Sequence, residues 1–233
     1  MNHKFQKILV VGASRGVGAA VSEHMISCTN KLITVSRSPA NFGNWIEADI
    51  STKAGIEIVK RAVGNSPLDA LLYMGGTWEI NAFTKEYSLE KCADEDIENV
   101  IAVNLLAPIR LVKALLPTLR QSSNPKVIFM GALSGLDNFP AREVANTASK
   151  FGLRGVVHAL REELRQDRIA VTIINPGNIA TPEVLNDLRQ AGQSETSAIP
   201  ISDLLSVIDC ILSLSRSTCI KEIQIPAMST AGA

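Results

Sequence analysis

A chain of 233 residues is long enough for one large α/β domain or two small ones, and at this size a single core can bury most of its apolar surface. Lysine plus arginine balance aspartate plus glutamate at 23 each, so no strong field draws nucleic acid or anionic lipid, and neither is an expected partner. Cys28, Cys92, Cys210 and Cys219 show no ligand spacing with His3, His24 or His158, which argues against a metal site and for free thiols in a reducing cytoplasm.

The amino-terminal MNHKFQKILVVGAS has an apolar run too short for a secretion signal or a span. No other stretch approaches membrane length, so a cytoplasmic chain without membrane contact is expected. Short apolar runs then alternate with longer amphipathic stretches, the pattern of a parallel sheet covered by helices on both faces. The predicted strands are KILVVG (7–12), LITVS (32–36), NWIEAD (44–49), DALLYMG (69–75), KVIFMG (126–131), IAVTIIN (169–175) and KEIQIP (221–226). Apolar residues at three and four spacing predict helices over 16–28, 51–64, 94–122 and 142–166. Pro108 and Pro117 should kink the third of these or divide it. Residues 189–202 are polar, rich in small residues and aperiodic, and predict a mobile loop; the substrate loop is placed at 183–202. No repeat and no linker interrupts the pattern, so 1–233 is read as a single doubly wound domain of seven parallel strands.

Directly after the first strand comes GASRGVG, with Gly12, Gly16 and Gly18 spaced by Ala13, Ser14, Arg15 and Val17. Glycines there permit a tight turn and let backbone N–H groups and a helix N-terminus face a phosphate without obstruction. At the head of a βαβ unit this is a dinucleotide site rather than a merely structural turn. After the second strand, Ser36 and Arg37 stand where a carboxylate would read the ribose of NAD. A hydroxyl and a guanidinium, with Arg15 nearby, favour a 2'-phosphate instead, so NADP(H) is the expected cofactor.

Six ordered segments now carry a resemblance: GASRGVG at 12–18, Asp49 in EADIS, DALLYMGG at 69–76, Asn104 in VNLLAP, Lys150 in ASK, and NPGNIATP at 175–182. Together, over about Lys7 to Pro226, they are similar to the short-chain dehydrogenase/reductase family. The resemblance implies a single Rossmann domain with the nicotinamide beside Asn104, Lys150 and the NPG turn. It also implies that Asp49, with the Ile50 backbone beside it, receives the adenine amino group. Gly75 and Gly76 resemble the end of the family's Asn-Asn-Ala-Gly segment, with Tyr73 and Met74 in place of the asparagines. Pro176, Gly177, Ile179 and Thr181 resemble the turn that holds the nicotinamide carboxamide, and Lys150 would bond the nicotinamide ribose.

The family's working acid is a tyrosine four residues before the lysine, and Asn146 fills that position. Its catalytic serine aligns with Ala132 or Leu133, leaving Ser134 slightly displaced. The catalytic candidates are therefore Asn104, Ser134, Asn146 and Lys150. A general acid is worth about a hundred- to ten-thousandfold in rate, and an amide cannot give up a proton near neutral pH. One expectation is an NADP(H)-dependent reductase of a small carbonyl, imine or enone with a substitute acid: Lys150, water held by Asn104, Tyr73, Glu143 or Asp137. Another is a substrate needing hydride only, such as a reactive iminium or a conjugated acceptor protonated by water. The alternatives are an NADP(H)-binding sensor without turnover, or non-redox chemistry in the same pocket.

Tyr87 lies in TWEINAFTKEYSLEKCADED, a segment longer than is usual in the family, and could fold toward the site. Trp78, Phe83 and Tyr87 form either an apolar substrate wall or packing for that segment. His158 is read as an interface or partly buried histidine. Apolar residues such as Ile97, Ile101, Leu105, Val156 and Leu160 exceed what one sheet face can cover, so a homodimer or homotetramer is expected.

Overall fold

The computed structural model describes residues 4–228. Seven strands, β1 (Phe5–Val11), β2 (Thr29–Ser36), β3 (Asn44–Glu47), β4 (Ala70–Tyr73), β5 (Lys126–Met130), β6 (Ala170–Pro176) and β7 (Glu222–Ile225), form one sheet. The spatial order is β3-β2-β1-β4-β5-β6-β7, and every pairing is parallel. Each predicted strand is present, with ends moved by a few residues.

Side-chain alternation along the strands divides the core into two layers. Leu9, Val11, Leu71, Tyr73, Val127 and Phe129 face α2 (Lys53–Val63), α4 (Ala107–Leu119) and α5 (Val144–Glu163). Ile8, Val10, Leu72, Ile128, Met130 and Ile174 face α1 (Gly16–Met25) and α7 (Ile201–Ser213). The chain leaves β3 at one edge and crosses to β4 on the far side of β1. That reversal of direction opens a crevice at the carboxyl ends of β1 and β4, where ligands of doubly wound sheets sit.

The predicted helix 94–122 is continuous from Asp94 to Leu119, but neither proline breaks it. α3 (Asp94–Ile101) runs into one π-helical turn, Ala102–Leu106, and then into α4. The Ala107 N–H bonds the Ala102 carbonyl, five residues back. In that register the next donor, to Val103, would come from Pro108, which has no N–H. The Tyr73 hydroxyl donates to the Val103 carbonyl instead, at 2.5 Å. Pro108 thus lies within a continuous helix with its missing donor replaced by the Tyr73 hydroxyl, and Pro117 lies inside the last turns without ending them. By length and mean hydropathy, 1.7, this helix could cross a membrane, contrary to the expectation that no stretch approaches such a span. Here Leu111, Val112, Leu115 and Leu119 are buried in the core instead.

The stretch 183–202 departs most from expectation. Part of it is α6 (Pro182–Gln190), started by Thr181, whose hydroxyl accepts the Val184 N–H at 3.4 Å. Glu195–Ser197 is a 3-10 turn, and Ile199 pairs with Ile179 in an isolated parallel bridge. α7 was likewise not among the predicted helices. The polar surface of α6 hides its periodicity, because a helix that buries little besides Leu188 needs no apolar stripe.

Candidate active site

Five strand ends deliver the site: Gly12 after β1, Arg37 after β2, Gly75 and Gly76 after β4, the 131–135 turn after β5, and Pro176 to Thr181 from β6 onward. The glycine turn is sterically obligatory. A Cβ on Gly12 would lie 2.5 Å from the Gly75 Cα, and Gly12 has φ +85°; a Cβ on Gly18 would lie 1.9 Å from the Gly12 carbonyl oxygen. The end of β1 can therefore approach the end of β4 only with no side chain at Gly12, and α1 can turn back over the loop only with none at Gly18. α1 begins after Arg15 with no side chain capping its first N–H groups and no acidic residue in its first turn. An uncapped N-terminus beside bare backbone is a cradle for an anion. Ser14 and Val17 lie within the same turn and partly exposed.

Arg15 and Arg37 are exposed, and among the described residues neither forms an ion pair. Ser36 behaves differently from the expected phosphate reader. Its hydroxyl donates to the Ser38 carbonyl at 2.6 Å and accepts the Trp45 indole N–H at 3.1 Å, so it braces the end of β2. Asp49 is exposed, with one carboxylate oxygen taken by the Ser51 N–H and hydroxyl at 3.0 and 2.7 Å. Ile50 packs against the core beneath it. On the other wall Gly177 donates its N–H to Ile225 at 2.8 Å, tying the turn after β6 to β7. Ile179 and Thr181 are both buried. A Cβ on Gly16 would be 3.9 Å from Thr181 Cγ2, so the α6 start faces the glycine turn across the crevice.

The four catalytic candidates are brought together. Asn104, within the π-helical turn and 1% exposed, clamps the segment beyond β4: Oδ1 accepts the Thr77 N–H at 2.9 Å and Nδ2 donates to the Thr77 carbonyl at 2.8 Å. Nδ2 also donates to Ser149 Oγ at 3.0 Å, and Ser149 in turn donates to the Asn146 carbonyl at 2.7 Å. The Asn146 amide Nδ2 stands 3.5 Å from Ser134 Oγ, and both residues are buried. Asn104 is thus engaged as a brace through both N–H groups of its amide and one acceptor position of Oδ1.

Lys150 lies one helical turn beyond Asn146 on α5. Its Nζ donates to the Met130 carbonyl at 3.1 Å, and a Cβ on Gly76 would sit 3.7 Å from both Lys150 Nζ and Asn104 Oδ1. Among the described residues no carboxylate pairs with the ammonium, and burial pulls its pKa from 10.5 down to about 8. Of Asn104, Ser134, Asn146, Ser149 and Lys150, only Lys150 exchanges a proton near neutrality.

The other proposed acids are engaged in bracing the fold or lie at the surface. Tyr73 points down to Val103 and its pKa is driven up by burial, so it is corrected from acid to helix brace. Glu143 is buried and accepts the N–H groups of Phe83 and Arg142 at 2.9 and 3.2 Å. Asp137 is exposed on the loop before α5, and His158 is exposed rather than partly buried. Tyr87 does fold toward the site: its hydroxyl accepts the Val144 N–H at 3.0 Å, and burial raises its pKa.

Two participants were not foreseen. Ser149 sits three residues after Asn146, a spacing that could have flagged it. Glu79 had no such signal. It is 1% exposed, and its carboxylate accepts the Ala145 N–H at 2.7 Å, the Asn146 N–H at 3.3 Å and the Tyr87 hydroxyl at 3.4 Å. A buried anion at the N-terminus of α5 thereby orients the turn that carries Asn146.

Comparison with known proteins agrees with this architecture. The short chain dehydrogenase family model matches residues 6–191. A 3-dehydrosphinganine reductase of Arabidopsis thaliana is 28% identical over 202 residues, covering 80% of this chain but only 59% of that protein. A short-chain dehydrogenase/reductase of Penicillium canescens is 28% identical over 191 residues, 78% of this chain and 72% of that one. Among solved structures, the Pseudomonas aeruginosa RhlG/NADP active-site complex superposes with TM-score 0.81 at 20% identity, over 97% of this chain and 96% of that one. A metagenomic short-chain oxidoreductase in complex with NADP gives TM-score 0.78 at 24% identity, over 97% and 99%. The family match spans most of the described fold and both walls of the crevice, and the chain belongs to the short chain dehydrogenase family.

Proposed function

We propose that this protein uses NADP(H) to reduce a small carbonyl, imine or enone compound, with Lys150 as proton donor where relatives of the family use a tyrosine. The observation that carries the reading is the buried Lys150 ammonium, with no counter-ion among the described residues and a pKa of about 8, on the same helical face as Asn146 and beside Gly76. The residues present fit the nucleotide: the cradle that Gly12, Gly16 and Gly18 leave open suits a pyrophosphate, and Arg15 and Arg37 suit a 2'-phosphate. The relatives complexed with NADP, and those named reductases or dehydrogenases, support the same assignment.

Bound NADPH would supply the hydride; this chain's residues manage the proton. Ser134 and the Asn146 amide can donate hydrogen bonds to the substrate heteroatom as negative charge builds on it. Lys150 gives its proton to that atom and recovers one from solvent. A pKa near the working pH suits a group that must both hold and release a proton.

A second reading, an NADP(H)-binding sensor without turnover, is favoured by one feature: Asn146 cannot ionise. Nicotinamide fluorescence measures binding, and loss of nicotinamide absorbance with ketones, imines and enones measures turnover. In the Asn146→Tyr, Ala132→Ser double variant a pocket built for reduction should gain about a hundredfold in rate. Tight NADPH binding with no gain and no consumption would establish the sensor, and with chemistry of another kind, the non-redox alternative. The oligomer is proposed to form through α5, α4 and the π-helical turn before α4, where Phe151, Ile109 and Leu106 are each 38–40% exposed.

A further inference from the structure

The segment between β4 and α3 carries a concentration of exposed apolar side chains. Trp78 is 54%, Ile80 67% and Phe83 62% exposed, and Val144 at the start of α5 is 49% exposed. Trp78 and Phe83 meet edge to face with centroids 5.7 Å apart. They are not loose. Glu79, between Trp78 and Ile80, is bonded to the N–H groups of Ala145 and Asn146, and Glu143 at the head of α5 accepts the Phe83 N–H. Two buried carboxylates reach in opposite directions across the same junction and clasp the segment to the helix.

Backbone conformation at the clasp is unusual. Asn81 and Phe83 have φ of +58° and +66°. For a bulky aromatic residue that left-handed conformation is strained. The Glu143 bond to its N–H holds Phe83 there, and the result is a ring held in water beside Trp78. Strain and buried charge maintained to keep an apolar surface outside the core point to a ligand. The position adds a second observation: through Glu79 this surface is joined to the backbone N–H of Asn146.

We propose that Trp78, Ile80 and Phe83, with Val144, form the substrate-recognition wall of the pocket, and that the substrate is a carbonyl compound bearing an extended apolar chain or ring. This deepens the reductase reading and rests on it. The carbonyl lies toward Asn146 and Lys150, while the apolar portion runs outward over the Trp78–Phe83 pair. Glu79 and Glu143 are positioning residues that fix the wall relative to the first turn of α5.

The test uses the full chain with a homologous series of 2-alkanones, followed by calorimetry and tryptophan emission with and without saturating NADPH. Affinity should rise about fourfold per added methylene until the chain outruns the wall. Phe83→Ser and Trp78→Ser should abolish that dependence while leaving NADPH affinity within about twofold, and Glu79→Gln should weaken it with the fold intact. Affinity independent of chain length, or the same chain-length dependence in the variants, would overturn the proposal. So would variants that change only sedimentation, because the patch would then belong to a second copy of the chain. Failure of NADPH to bind would defeat the cofactor reading alone, since the alkanone series still decides the wall without it.

Discussion

Replacing Lys150 by methionine tests the electrostatics of the site without a known substrate. In the unfolded chain the lysine holds its proton up to its usual 10.5, whereas in the fold burial lowers this to about 8. Between those values the unfolded state binds more protons, so stability rises with pH across the window and the cost of the buried charge is fully present below about 8. At about 1.4 kcal/mol per pH unit, the cost at neutral pH is about 3 kcal/mol. Lys150→Met removes it, but leaves the Met130 carbonyl without its 3.1 Å donor, which costs about 1–2 kcal/mol. The variant should therefore be more stable than the parent by about 1–2 kcal/mol near pH 7. The advantage should shrink above pH 8 and reverse near pH 10. Denaturant unfolding of both proteins across that range measures it. A stability difference that does not change with pH would refute a depressed lysine pKa, and with it the proton donor proposed for catalysis.

The same pKa predicts that NADPH-dependent reduction falls as pH rises through about 8, by about tenfold per unit once the ammonium is lost, and a flat rate profile would exclude Lys150 as the acid. Tyr73→Phe leaves the Val103 carbonyl without a donor beside Pro108 and should lower unfolding free energy by about 1–3 kcal/mol, with no change in the pH profile of the rate. Gly18→Ala places a methyl 1.9 Å from the Gly12 carbonyl oxygen and should cost about 3 kcal/mol or more while weakening NADPH binding, read by thermal unfolding and nicotinamide fluorescence. Arg37→Ala should weaken NADPH by about tenfold and NADH hardly at all, because the guanidinium has no partner among the described residues that would mask its loss.

The amino-acid order by itself determined the seven-stranded parallel sheet, since buried strands must be continuous apolar runs and the helices between them carry a periodicity that cannot be satisfied otherwise. It also determined the glycine turn, because no Cβ fits at Gly12 or Gly18, and it exposed the amide standing four positions ahead of Lys150. Tertiary structure decided what those residues touch. That Tyr73 serves Val103 follows from a π-helical turn that no local pattern announces, and that Ser36 braces Trp45 follows from the pairing of β2 with β3. Glu79 shows the limit most clearly. In the sequence it is one acid in a polar segment, and it acquires a role only when the fold carries it 66 residues along the chain to the N-terminus of α5. A hydrogen bond of that range depends on the whole sheet being assembled, and local sequence holds no record of it.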